Sequence, residues 1–139
     1  MLNLIWDFNG TILDDVEAGF LTINEMLKQR NKPILKSISD YKKIFGFPIK
    51  DYYIRAGFDF KNESYEEIAQ CYIPIYNRNA RKSKLVNDIK NILFFCKTIG
   101  YKMYVLSACE QNMLEEYIKK YQISDYFEKC VQIGINPKR

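Results

Sequence analysis

The sequence predicts an α/β protein, a parallel sheet interrupted by an all-helical insert. Three observations carry this. Short apolar runs at Leu4-Ile5-Trp6, residues 102–106 and residues 127–133 have the length of strands. Helical periodicity separates the later runs, and helical crossovers between strands imply parallel pairing. The span from Val16 to about Lys82 shows helical spacing with no strand signal. The expected division is a core of residues 1–15 and 83–139 around a helical insert of residues 16–82.

In order, Leu4-Ile5-Trp6 reads as a buried strand. It ends at Asp7, and Asn9-Gly10 then turns the backbone, since both residues tolerate positive φ. Asp14 or Asp15 is expected to cap a helix over 16–30, where Phe20, Leu21, Ile23, Met26 and Leu27 recur at helical spacing and Pro33 stops the run. Ser39-Asp40 starts a short helix, Gly46-Phe47-Pro48 is a loop, and residues 49–55 form further helical turns ended by Gly57. Asn62-Glu63-Ser64 opens a longer helix over 65–79, which Pro74 is expected to kink or shorten. Residues 86–97 read as a helix with Gly100 just past its end. The strand at 102–106 ends on Ser107, residues 110–121 are helical, and Ser124-Asp125 turns the chain toward the last strand.

Composition narrows the chemistry. The 139 residues suit one domain or a core with an insert, and 47% apolar content supports a packed interior. The net charge of +4 is interspersed. Its densest run, Arg78, Arg81, Lys82 and Lys84, reads as a solvated linker, because nucleic-acid binding needs a stronger one-faced bias. No apolar run reaches the length of a membrane span. Met1 leads into a strand without a basic leader, so no secretory signal is expected. Cys71, Cys96, Cys109 and Cys130 form no Cys-x-x-Cys pair, and reduced thiols in a cytoplasm are the expected state. Histidine is absent, which excludes Ser-His-Asp triads, Cys-His pairs and histidine-ligated zinc. Catalysis must use carboxylates, hydroxyls, Lys, Tyr or an oxygen-bound metal.

Asp7 and Ser107 end the first two strands, and in a parallel sheet those ends share one edge, where such sheets hold ligands. Asp7 is either a turn-forming acid or a nucleophile able to form an aspartyl-phosphate. Ser107 is either a helix N-cap or a hydroxyl donor to a phosphate oxygen.

Asp7-Phe8-Asn9-Gly10-Thr11 after an apolar strand resembles the first motif of the haloacid dehalogenase (HAD) superfamily, Asp-x-Asp-Gly-Thr. Val105-Leu106-Ser107-Ala108 is similar to its second motif, and the helical insert resembles the cap that many members carry after motif one. The likeness is greatest to the branch that includes phosphoglycolate-phosphatase-type enzymes. It implies a Rossmann-like (HAD-like) core and a Mg²⁺-dependent phosphatase of a small phosphorylated metabolite. Asp7 would be nucleophile and metal ligand, and the backbone carbonyl of Asn9 a second ligand. Thr11 and Ser107 would hold the phosphoryl group. Lys138 matches the family's charge-neutralising lysine, and equally reads as a solvated terminal residue. Cap residues would choose the substrate, here the Gly46-Phe47-Pro48 loop with Lys50, Tyr53 and Arg55.

Two departures stand out. Asn9 replaces the family's second aspartate, which protonates the leaving group and later activates water. An amide cannot exchange a proton in this way, and loss of such a group costs on the order of 10²–10⁴ in rate; Asp14 or Asp15 are the nearby acids that could stand in. The family's fourth motif, with further Mg²⁺ carboxylates, has no counterpart before Arg139, so the core is expected to be incomplete at its C-terminus. The first strand would then be an open edge: either the chain is a fragment, or a partner chain or dimer mate covers that edge, or the missing half is encoded separately. The alternative function is a non-catalytic HAD-like relative or fragment that binds a partner or a phosphorylated ligand.

Overall fold

A computed structural model describes residues 2–133. In chain order its elements are β1 (Asn3–Trp6), β2 (Leu13–Asp14), α1 (Val16–Gln29), α2 (Ile38–Ile44), α3 (Ile49–Ala56), α4 (Tyr65–Ala80), β3 (Lys84–Leu85), α5 (Ile89–Thr98), β4 (Lys102–Ser107), α6 (Gln111–Lys120) and β5 (Lys129–Gln132), with a 3₁₀ turn at Ser124–Tyr126 before the last strand. The chain divides into two compact units. Residues up to Asp14 with those from Lys84 on form one, and Asp15–Ser83 form the other.

The first unit is built on a parallel sheet of order β1-β4-β5. Trp6 pairs with Val105, and Ser107 pairs with Gln132, so the carboxyl ends of all three strands lie along one edge. Strand alternation puts Met103, Val105 and Ser107 on one face of β4, and all three are buried. Both crossovers step across the sheet in the same direction, and right-handed connections then bring α5 and α6 to the same face. Those helices turn Ile89, Leu93 and Cys96, and Met113, Leu114, Tyr117 and Ile118, inward.

The opposite face is open. Ile5 is 69% exposed and Leu106 40% exposed. The expectation of a fully buried first strand is therefore corrected. Leu4 and Trp6 are half-buried, but β1 has a neighbour on one side only, and the face that carries Ile5 has no covering helix among the described residues.

A small antiparallel ribbon, absent from the sequence reading, closes the base of the insert. Leu13 pairs with Leu85 and Asp14 with Lys84, and the Val86 N–H donates to the Ile12 carbonyl at 2.9 Å. That last hydrogen bond engages Val86, the residue expected to start a helix, and α5 begins at Ile89 instead.

The second unit is all helical. Its core joins Ile23, Met26 and Leu27 of α1 to Tyr41, Tyr52, Tyr53, Ala56, Phe58, Ile68 and Ile75. The rings form a connected cluster: Tyr41 meets Phe45 and Tyr52, and Tyr53 meets Phe58, Tyr65 and Tyr72. The aromatic residues of this unit are thus largely explained as packing. Tyr41 reaches this cluster by lying against Gly19, where a Cβ would fall 2.1 Å from the tyrosine hydroxyl. Burial pushes the Tyr41 hydroxyl up to about 12.

Helix ends correct three expectations. α2 is capped by Ser37, not Ser39: the Ser37 Oγ accepts from the Asp40 N–H at 3.1 Å. Asp15 precedes α1 without a side-chain cap, and its carboxylate instead accepts from the Tyr76 hydroxyl. Pro74 sits within an unbroken α4. It is exposed there, so the carbonyl its missing N–H leaves behind can be hydrated. The start of α4 is a capping box, with Ser64 Oγ accepting from the Glu67 N–H at 3.2 Å and Glu67 Oε2 accepting from the Ser64 N–H at 2.7 Å. Arg30 from the end of α1 grips Glu63 with two hydrogen bonds of 2.6 Å. Among the described residues no helix is long and apolar enough to cross a membrane.

Candidate functional site

The candidate site is the turn after β1. Phe8, Ile12 and Leu13 are fully buried and anchor it from beneath. The Phe8 carbonyl accepts from the N–H groups of Thr11, Ile12 and Leu13 at 3.3, 2.9 and 3.0 Å, and the Gly10 N–H donates to the Leu13 carbonyl at 2.9 Å. Gly10 has φ +77°, a conformation that explains a glycine at the tip. The Phe8 ring packs on Tyr117 of α6, with centroids 5.9 Å apart. This double anchor holds the short turn, and Asp7 and Asn9 flank the buried Phe8.

Around that turn four of the expected residues meet. Thr11 Oγ1 donates to Asp7 Oδ2 at 3.2 Å. Ser107, buried at the end of β4, donates through Oγ to Asn9 Oδ1 at 3.3 Å. The same Oγ accepts from the Cys109 N–H at 3.0 Å. The reading of Ser107 as a helix N-cap is corrected: α6 starts at Gln111, and Ser107 is the last residue of its strand. Lys138 lies outside the described residues.

Two residues missed in the sequence hold the neighbouring strand ends in place. The Gln111 N–H donates to Gln132 Oε1 at 3.1 Å, and the Gln132 N–H donates to Gln111 Oε1 at 2.8 Å. Gln111 Nε2 also donates to the Cys130 carbonyl at 3.1 Å, and the Ile133 N–H donates to the Ser107 carbonyl at 2.6 Å. This clamp ties the start of α6 to β5 beside Ser107. Its partners lie 21 residues apart, and no local pattern links them.

Among the described residues no group of three or more His, Cys, Asp or Glu side chains gathers to hold a metal. What the turn offers is hard oxygen: one carboxylate, Asp7, and backbone carbonyls such as that of Asn9. Such a donor set suits Mg²⁺, which keeps several waters and takes few protein ligands beside phosphate oxygens.

Of the residues expected to select a substrate, Tyr53 is buried in the aromatic core of the helical unit, which removes it from that role. Arg55 Nε donates to the Ile44 carbonyl at 2.8 Å, and the Lys50 ammonium stands over the Phe60 ring. Phe47 is 80% exposed.

The family profile described as haloacid dehalogenase-like hydrolase matches residues 4–134. No curated protein sequence matches the chain. Solved structures resemble it across nearly its whole length. A predicted phosphatase from Clostridium acetobutylicum superposes with a TM-score of 0.71 at 20% identity, over 94% of this chain and 60% of its own. A haloacid dehalogenase-like hydrolase from Streptococcus pneumoniae gives 0.80 at 15% identity, over 97% of this chain and 62% of its own. A predicted phosphoglycolate phosphatase from Haemophilus somnus gives 0.69 at 20% identity, over 99% and 65%. At these identities the likeness is one of fold, and this chain spans about three fifths to two thirds of those lengths.

Proposed function

Because the chain belongs to the haloacid dehalogenase-like hydrolase family, we propose that it handles phosphoryl groups at the turn after β1, as a phosphatase of a small phosphorylated metabolite. The observation that carries this reading is the meeting of Asp7, Asn9, Thr11 and Ser107 across the carboxyl edge of two parallel strands. Asp7 Oδ would attack phosphorus as the bond to the leaving oxygen breaks, giving an aspartyl-phosphate and an alkoxide that takes up a proton. Water would then attack the phosphorus and release the carboxylate. Thr11 orients Asp7 by its hydrogen bond, and Ser107 supplies a hydroxyl beside the developing charge. Asp7 and the Asn9 carbonyl would hold Mg²⁺, which when bound offsets the repulsion between carboxylate and phosphate. In this reading the helical unit is the cap, and the protein works in a cytoplasm.

The test is Mg²⁺-dependent hydrolysis of p-nitrophenyl phosphate by the purified chain. Asp7→Ala should remove it and leave the circular dichroism unchanged. Hydrolysis that persists in the variant would sink Asp7 as nucleophile.

A further inference from the structure

The edge of β1 and one flank of α5 stand open together. β1 pairs with β4 alone, so the N–H and C=O groups along its other side have no strand beside them among the described residues. Edge strands are ordinarily guarded by charge, proline or a bulge. Leu2-Asn3-Leu4-Ile5-Trp6 carries neither a charge nor a proline.

α5 adds an apolar stripe beside that edge. Its buried residues are Ile89, Leu93 and Cys96. Ile92, Phe95 and Ile99 follow at spacings of three and four residues, which aligns them on one flank, and all three are exposed. The opposite flank carries Lys97, whose ammonium donates to the Asp125 carbonyl on the approach to β5. The stripe is therefore turned toward β1, at the other edge of the sheet. Leu2 shares a side of the pleat with Leu4 and Trp6, the side on which α5 packs, and it too is exposed. A helix that is apolar on its outer flank as well as its inner one belongs against a partner.

We propose that a second copy of this chain covers this edge. A two-fold axis normal to the sheet would pair β1 antiparallel with the β1 of the other copy, and the same rotation keeps both α5 helices on one face, side by side through Ile92, Phe95 and Ile99. One operator thus serves the strand edge and the stripe together. The face is uncharged, which offers nothing to a partner of opposite sign, whereas a copy of the chain matches it by symmetry. Asp88 stands in line with the stripe at its start, and antiparallel helices hold two such acids at opposite ends. The size is sufficient. Leu2, Ile92, Phe95 and Ile99 each offer roughly 100 Å², and with the strand edge a copy presents about 500 Å². Two copies then bury about 1,000 Å², where specific interfaces begin.

The experiment is sedimentation velocity of the purified full chain over a range of concentrations, with hydrogen exchange at the β1 amides read by mass. The expected result is a reversible dimer whose β1 amides exchange more slowly as the dimer fills. Phe95→Glu should raise the dimer Kd more than about tenfold and speed β1 exchange, with circular dichroism unchanged. Phe94 is the control, since it is 63% exposed against 60% for Phe95 but lies off the stripe. Phe94→Glu should leave the Kd within about twofold. If Phe95→Glu fails to fold, the wild-type mass and β1 protection still decide. A chain that stays monomeric at about 100 μM overturns the proposal. So does a dimer whose β1 amides exchange freely, or equal weakening by the two variants. None of these outcomes bears on Asp7, because antiparallel strands put the two turns after β1 at opposite ends of the joined edge.

Discussion

At the scale of single residues, Gly19 is the plainest case of a side chain excluded by its neighbour. Alanine favours a helix over glycine by about 1 kcal/mol. Here its Cβ would meet the Tyr41 hydroxyl and, at 2.8 Å, the ring carbon that bears it, and that ring is wedged among Phe20, Phe45 and Tyr52. Gly19→Ala should therefore destabilise the helical unit by about 1–3 kcal/mol in chemical denaturation, since overpacking outweighs propensity. Glu63 provides a pH-dependent counterpart. Its hydrogen bonds from Arg30 hold the carboxyl below the usual glutamate value of 4.5. The folded value is depressed, so this stability is present above about pH 4.5 and is lost as pH falls through the lowered value. Glu63→Gln should lower the melting temperature at pH 7 and flatten its decline in acid. Residue by residue, the geometry of the candidate site was legible where the residues share a motif: Asp7, Asn9 and Thr11 sit within one turn, and Ser107 ends the next core strand. The Gln111–Gln132 clamp was not legible, because a reciprocal amide pair has no periodicity and forms only once α6 and β5 are placed.

At the scale of elements, helices followed their apolar spacing, and their ends were harder to read. Ser37 and Ser39 both precede an acid-containing first turn, and only the backbone path decides which hydroxyl reaches a free N–H. Pro74 was overread because the sequence does not tell that it faces solvent. The β2–β3 ribbon went unseen because two-residue strands carry no alternation. For β1 the apolar run was visible but its surroundings were not, and Ile5 projects from the face that no described helix covers. Ile5→Lys should change folding stability by no more than about 0.5 kcal/mol, as expected for an exposed position. The same change should reduce self-association in sedimentation, because a charge blunts an open apolar edge. Loss of folding in this variant would show that Ile5 is covered in solution.

At the scale of the whole molecule, the parallel sheet and its helical insert were both readable from the order of periodicities. The aromatic interior of the insert was visible only as composition. That interior sets an alkaline limit. Tyr41 is pushed up to about 12 by burial, while an unfolded tyrosine ionises near 10. The folded value is raised, so its contribution is complete below pH 10 and is lost as pH climbs toward 12, at about 1.4 kcal/mol per pH unit for each proton released on unfolding. Tyrosinate absorbance and loss of helical circular dichroism should rise together in that window. Tyrosinate that forms while the helices remain intact would contradict a buried ring. The ribbon at the base of the insert has a consequence of another kind. Asp14 and Lys84 are cross-strand partners, so the chain departs and returns at one point. A tight turn joining them would convert the ribbon into a hairpin, which makes the helical segment an excisable cassette. Lengthening such a cassette is inexpensive, since each doubling of a closed loop adds only about 0.6 kcal/mol of entropy. The α/β unit could thus exchange one insert for another, of different size and surface, without resetting the strand that carries Asp7.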